Sequence, residues 1–220
     1  MPDETAAVAP QDNAGTSSAR IDLSSVELLA LVSMRSNAAT DRARAMLGLP
    51  EDGLDSPLAS AGVSSLLVRQ LATASQGRLA PQGPANVIAR TLMDAQEWTE
   101  AIGTTGDATN VAAVVRSADG TVLFEPRPYN VWNVWPMPQD DPLPVIGARF
   151  VEATFGNLPA DRPFTGSVRV IDDDSTTRSA VVTVTEDESW TLASGPGGEL
   201  STPAPTAPDP TFHILASSLA

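Results

Sequence analysis

The 220-residue chain contains no cysteine and no lysine. Without Cys there is no disulfide, no thiolate nucleophile and no Cys-based metal site. One histidine, His213, is too few for a multi-His metal centre within one chain. A Ser-His-Asp triad or a His general base would have to use it, and it is the eighth residue from the end, with no rigid element evident around it. The plain reading is a solvated or loosely packed side chain. The phosphate-cradling glycine loops GxxxxGKS/T and GxGxxG are absent. Aromatic residues make up only 5% of the chain, few for the stacking platforms of a sugar site. No apolar run approaches the ~20 residues of a membrane span. The N-terminal stretch lacks the apolar core of a secretory signal, so cytoplasmic residence is the expectation.

Charge of one sign dominates. The formal net charge is -14, and all 13 basic residues are Arg. They are scattered singly, Arg42 and Arg44 being the closest pair. A nucleic-acid surface needs clustered cations that displace counterions, so nucleic acid is not an expected partner. The same charge disfavours docking on anionic membranes. The Ala-, Gly- and Pro-rich composition without Lys matches a high-GC coding background such as that of actinobacteria. At 42% hydrophobic residues, the chain can bury a core.

Residues 1–20 are polar and aperiodic and read as a disordered tail. Ser24 and Glu27 fit a capping box at the head of a short helix carrying Val26, Leu28, Leu29, Leu31 and Val32. A second helix is expected from about Thr40 to Leu47, stopped at Gly48. Ser56-Pro57 opens a third, slightly weakened by Gly62, with Gly77 as its C-cap. Pro84 opens a fourth. The pattern then turns to Val, Thr and aromatics, predicting strands near 96–103, 110–117, 121–126 and 130–135, with a hairpin at Asp119-Gly120. Pro126 and Pro128 mark an edge or bulge. Residues 143–155 read as a short helix, a strand being the alternative. A meander over 166–171, 179–185 and 189–193 follows. The Gly- and Pro-rich stretch 195–220 reads as a flexible tail whose last ten residues dock as a short element or stay free.

This order predicts an α+β fold, N-terminal helices packed on a largely antiparallel sheet. The domain would span 21–194, either whole or in two sub-parts, 21–135 and 143–194. The helices-then-strands layout can occur twice.

Asp172-Asp173-Asp174 and Glu186-Asp187-Glu188 are the densest acidic runs. Three carboxylates can ligate a hard cation, but neither run has EF-hand spacing, and both read as solvated hairpin turns. No metal site or cofactor is expected. Residues 126–138, PRPYNVWNVWPMP, stand apart, with Tyr129, Trp132, Trp135 and Met137 between prolines and Arg127 the sole charge. On a strand, Trp132 and Trp135 face opposite ways. One belongs to the core; the other is exposed, covered by another element, or held in an interface. Tyr, Trp and Arg are the usual anchors of protein interfaces, so these five residues are the candidate partner-binding set. The alternative is that both Trp are buried within the domain. Trp98 and Trp190 read as core residues.

SSVELLALV at 24–32 resembles the opening helix of EspG-type chaperones of type VII secretion. DRARAMLGL and SSLLVRQLA are similar to that family's next helices. VAAVVRSADGTVLFEPR and GSVRV…SAVVTVTEDESWTLAS resemble its strands. The likeness covers residues 22–194 and is one of pattern, so it assigns no binding residue. It implies a cytosolic α+β chaperone that keeps secretion substrates soluble.

The expected function is therefore a non-catalytic protein-binding module, a chaperone or adaptor with a protein partner. Two alternatives stand beside it: a carboxylate-dependent enzyme, and an acidic immunity-type protein that neutralises a basic partner. The latter's binding would collapse with salt.

Overall fold

The computed structural model describes residues 20–51, 53–106, 108–157, 163–172 and 176–219. The expected N-terminal tail lies outside them but for Arg20. A short strand, β1 (Ile21–Ser24), runs straight into α1 (Ser25–Val32). The capping box forms as read: Ser24 Oγ accepts from the Glu27 N–H, and Glu27 accepts from the Ser24 N–H. Asn37 caps α2 (Ala38–Met46) in the same reciprocal way with Thr40, and Gly48 at φ 58° ends it. Ser56 caps α3 (Pro57–Val68).

Gly77 is not a helix cap. The third helix ends at Val68, and Gln76-Gly77, both at positive φ, turn a small hairpin of β2 (Ala72–Ser75) and β3 (Arg78–Pro81). Such a turn needs left-handed conformations at both central residues. The Leu-rich run masked the change of period. Helix α4 (Gly83–Met93) follows.

The main sheet is built from two meanders. The first is β4 (Glu97–Thr105), β5 (Ala108–Ser117), β6 (Gly120–Arg127) and β7 (Val131–Met137). After α5 (Leu143–Asn157) comes the second: β8 (Phe164–Ile171), β9 (Thr177–Val184), β10 (Trp190–Pro196) and β11 (Ala204–Thr206). The strand order is β1-β7-β6-β5-β4-β8-β9-β10-β11, antiparallel throughout. The meanders meet at β4 and β8, and each is preceded by one helix, α4 or α5. The fold is thus mixed α+β with the sheet dominant. The Asp119-Gly120 hairpin forms one residue earlier than read, with Ala118 and Asp119 in the loop and Ser117 paired to Gly120. Pro126 lies past the last β5–β6 pair, so its missing N–H breaks no ladder bond.

Successive residues of β5 feed two cores. Ala113 and Val115 join Leu28, Leu31, Leu92, Trp98 and Phe124 on the side of α1 and α4. Ala112 and Val114 meet Leu143 and Ile146 of α5 on the other. This explains the unbroken apolar run VAAVV, buried on both faces. Helix α5 lies close on the sheet where Gly103 pairs with Gly166. A Cβ at either glycine would stand 2.4 Å from Thr154 or Val151 of that helix. The sheet centre is bare so that the helix can approach.

Of the stretch expected as a flexible tail, residues 195–219 are built into the fold. Strand β11 pairs with β10, and α6 (His213–Ser217) packs beside α5 and β9. Phe212 and Leu215 are fully buried. Phe155, Phe164, Trp190 and Phe212 stack edge-on or tilted with ring centres 5.0–6.1 Å apart. Arg178 donates to the Leu219 carbonyl. The Gly/Pro composition hid one aromatic anchor, Phe212, which fastens the segment.

Candidate protein-binding groove

The hairpin β6–β7 distributes the five candidate residues among three environments. Tyr129 sits at its tip in the 3-10 turn 128–130, with left-handed φ of 67°, and is 96% exposed. The neighbouring Asn130 carbonyl accepts from Ser25 Oγ, 3.3 Å, which ties the tip to the head of α1. Trp132 faces the α1–α4 side, where its ring packs against the first core and its Nε1 donates to Ser25 Oγ at 3.1 Å. Trp135 and Met137 face the opposite side, both half-buried. The alternation of the strand thus separates the two Trp. Arg127, the last residue of β6, pairs with Glu125 at 3.3 Å.

Trp135 and Met137 open onto a groove of about 360 Å³ between the β6–β7 hairpin and α5. Leu123 and Phe150 complete its apolar floor, and Glu125 and Asn157 give it a polar edge. The geometry follows from two periodicities. Leu123 is paired with Trp135 across the ladder and so shares its face. Phe150, Ala153 and Asn157 recur at helical spacing along α5. Leu123 and Phe150 were missed in the sequence; pairing the two predicted strands with the predicted helix would have brought them in. The Arg20 guanidinium lies over Trp135, 5.7 Å from its ring centre, and Arg20 is 3.0 Å from Asp22. An uncommitted apolar floor with an aromatic anchor and a charged rim has the make-up of a protein-binding hot spot.

Other candidates fall elsewhere. His213 is exposed on α6. Of the first acidic run, Asp173 and Asp174 lie outside the described residues. Asp172 Oδ1 accepts from the Thr176 N–H at 2.8 Å, closing a turn. In the second run Asp187 accepts from Thr185 and Ser189 across the β9–β10 turn, and these hydrogen bonds hold its carboxyl below the usual range. Among the described residues, no three His, Asp or Glu converge as a metal set. No described helix is long and apolar enough to cross a membrane.

In fold, the chain is similar to a solved secretion chaperone structure. That structure is the Mycobacterium tuberculosis type VII secretion system chaperone EspG5 in complex with a PE25–PPE41 dimer. The likeness covers 91% of this chain and 95% of that one, with a TM-score of 0.57 and 9% identity. At that identity it concerns the fold alone. No protein-family model and no curated protein matches the sequence.

Proposed function

We propose that this chain is a non-catalytic protein-binding module acting as a cytoplasmic chaperone or adaptor for secreted proteins. The observation that carries the reading is the fold likeness over nine-tenths of both chains to a secretion chaperone solved with a protein dimer. By the same likeness, the partner class proposed is a protein pair. The groove beside α5 supports the reading independently, because it offers apolar surface that the fold leaves unfilled. Trp135 and Met137 anchor the partner there, with Arg127 at the end of β6 and Tyr129 at the hairpin tip. Trp132, hydrogen-bonded to Ser25, orients the hairpin and makes no direct contact.

The test is co-expression with protein pairs encoded beside this gene. The native chain should co-purify with one pair in fixed stoichiometry. A Trp135→Ala/Met137→Ala variant with unchanged circular dichroism should lose it. Equal capture by both forms would remove the groove from the account, and failure of the native chain to hold any pair would remove the chaperone reading.

A further inference from the structure

Among the described residues, the open sheet of nine strands has two free edges, and each invites pairing with another chain. In this protein the two edges are closed by different means. On β11, the residues bonded to β10 are Ala204 and Thr206, so Pro205 between them turns its backbone outward and offers no N–H. Strand β1 has no proline. Its outward backbone groups belong to Asp22 and Ser24, since antiparallel pairing with β7 uses alternate residues.

Those outward groups meet an ion pair from two helices. Arg69, the C-cap of α3, donates to the Asp22 carbonyl at 2.8 Å. Glu27 of α1 accepts from the Ser24 N–H at 2.8 Å. The two side chains are themselves joined, Arg69 Nη1 lying 2.9 and 2.8 Å from the two Glu27 oxygens. Ser65 Oγ adds a further donor to Glu27 at 2.7 Å. A carbonyl at one residue and an N–H two residues on are the groups that one residue of a parallel neighbour would engage. The guanidinium and the carboxylate supply the same donor and acceptor. Glu27 is buried, 1% exposed, although it is charged, and Arg69 alone reaches solvent.

We propose that the Glu27–Arg69 pair is an edge cap, standing in the hydrogen-bonding place of a tenth strand and keeping the β1 edge closed to strand addition by a second copy of this chain. The occupant is argued from charge. Antiparallel pairing of two β1 edges about Ile21 sets Arg20 of each copy opposite Asp22 of the other, so the edge is complementary to itself.

The test is sedimentation velocity over a wide concentration range on the full chain, with circular dichroism to confirm folding. Arg69→Ala should self-associate at least tenfold more tightly than the native protein. Adding Asp22→Pro should reverse this, because the Asp22 N–H points outward and its loss breaks no bond to β7. Arg69→Lys, run alongside, keeps the charge but cannot bridge Glu27 and the Asp22 carbonyl together, and should associate more than the native chain. If Arg69→Ala does not fold, Arg69→Lys decides. Native-like association of the folded variants, or association that survives Asp22→Pro, overturns the proposal.

Discussion

Replacing Gly62 by Ala should destabilise the protein, against the rule for helices. Gly62 lies inside α3, where Ala is favoured over Gly by about 1 kcal/mol. Helix propensity alone therefore predicts a gain. The crossing of α1 and α3 reverses the sign. A Cβ at Gly62 would lie 1.8 Å from the Val26 carbonyl oxygen, 2.5 Å from its carbon and 3.1 Å from Ala30 Cβ. An ordinary C···O approach is about 3.3 Å, so the helices must separate by roughly 1.5 Å. The obstacle is backbone, which cannot rotate away as a side chain can. Separation loosens Leu28 to Val32, all buried, and draws Ser65 and Arg69 of the same helix off Glu27. Overpacking of this kind costs about 1–3 kcal/mol, and disturbed bonds to a buried carboxylate add to it. The expected net loss is about 2–4 kcal/mol, or roughly 4–16 °C in Tm for a chain of this size. Thermal unfolding followed by far-UV circular dichroism measures it. A Gly62→Ala protein as stable as the native one would refute the close crossing.

Phe212→Ala should cost about 3–5 kcal/mol in urea unfolding, as for a fully buried aromatic; a loss under 1 kcal/mol would return 195–219 to the status of a tail. Trp132→Phe removes the bond to Ser25 and should cost about 1 kcal/mol while leaving partner capture intact, whereas lost capture would show that Trp132 contacts the partner directly. Stability should fall in acid. Burial opposes ionisation of Glu27, but hydrogen bonds from Ser24, Ser65 and Arg69, with the Arg69 charge, hold its pKa below the ordinary 4.5. Burial likewise opposes ionisation of Asp209, outweighed by donors from Thr211 and Ile214, and its pKa lies below 3.8. Depressed carboxylates stabilise the fold above their ordinary values, and that stability is lost as pH falls through the folded ones. Tm should therefore decline below about pH 4.5, less steeply in Glu27→Gln; identical slopes would contradict the Glu27 contribution.

Much of the fold was legible where local chemistry decides it. The Ser24/Glu27 box, the Ser56-Pro57 start and the turn-bounded Val runs each have a mechanism confined to a few residues. What escaped depends on distant partners. Ile21–Ser24 is too short to read as a strand until β7 lies beside it. Gly62, read as a weakness of its helix, is a contact point with α1. Phe212 sits among prolines and acquires its role only from Trp190 and Phe155. At the candidate groove, strand parity separates Trp132 from Trp135, but Leu123 and Phe150 arrive from elements whose pairing no local pattern specifies.

Hydrogen–deuterium exchange of the chain alone and with its co-purified partner decides whether the groove between β6–β7 and α5 binds protein. With the partner bound, exchange should slow in 120–137 and along 143–157, and this slowing should be absent in Trp135→Ala/Met137→Ala. A second surface gives the contrast: Ile102, Thr165, Ser167, Ser179, Val181 and Thr183 lie half-buried on the sheet face away from α5, and none belongs to a core cluster. Protection confined to that face, with the groove exchanging as freely as in the chain alone, would contradict binding in the groove.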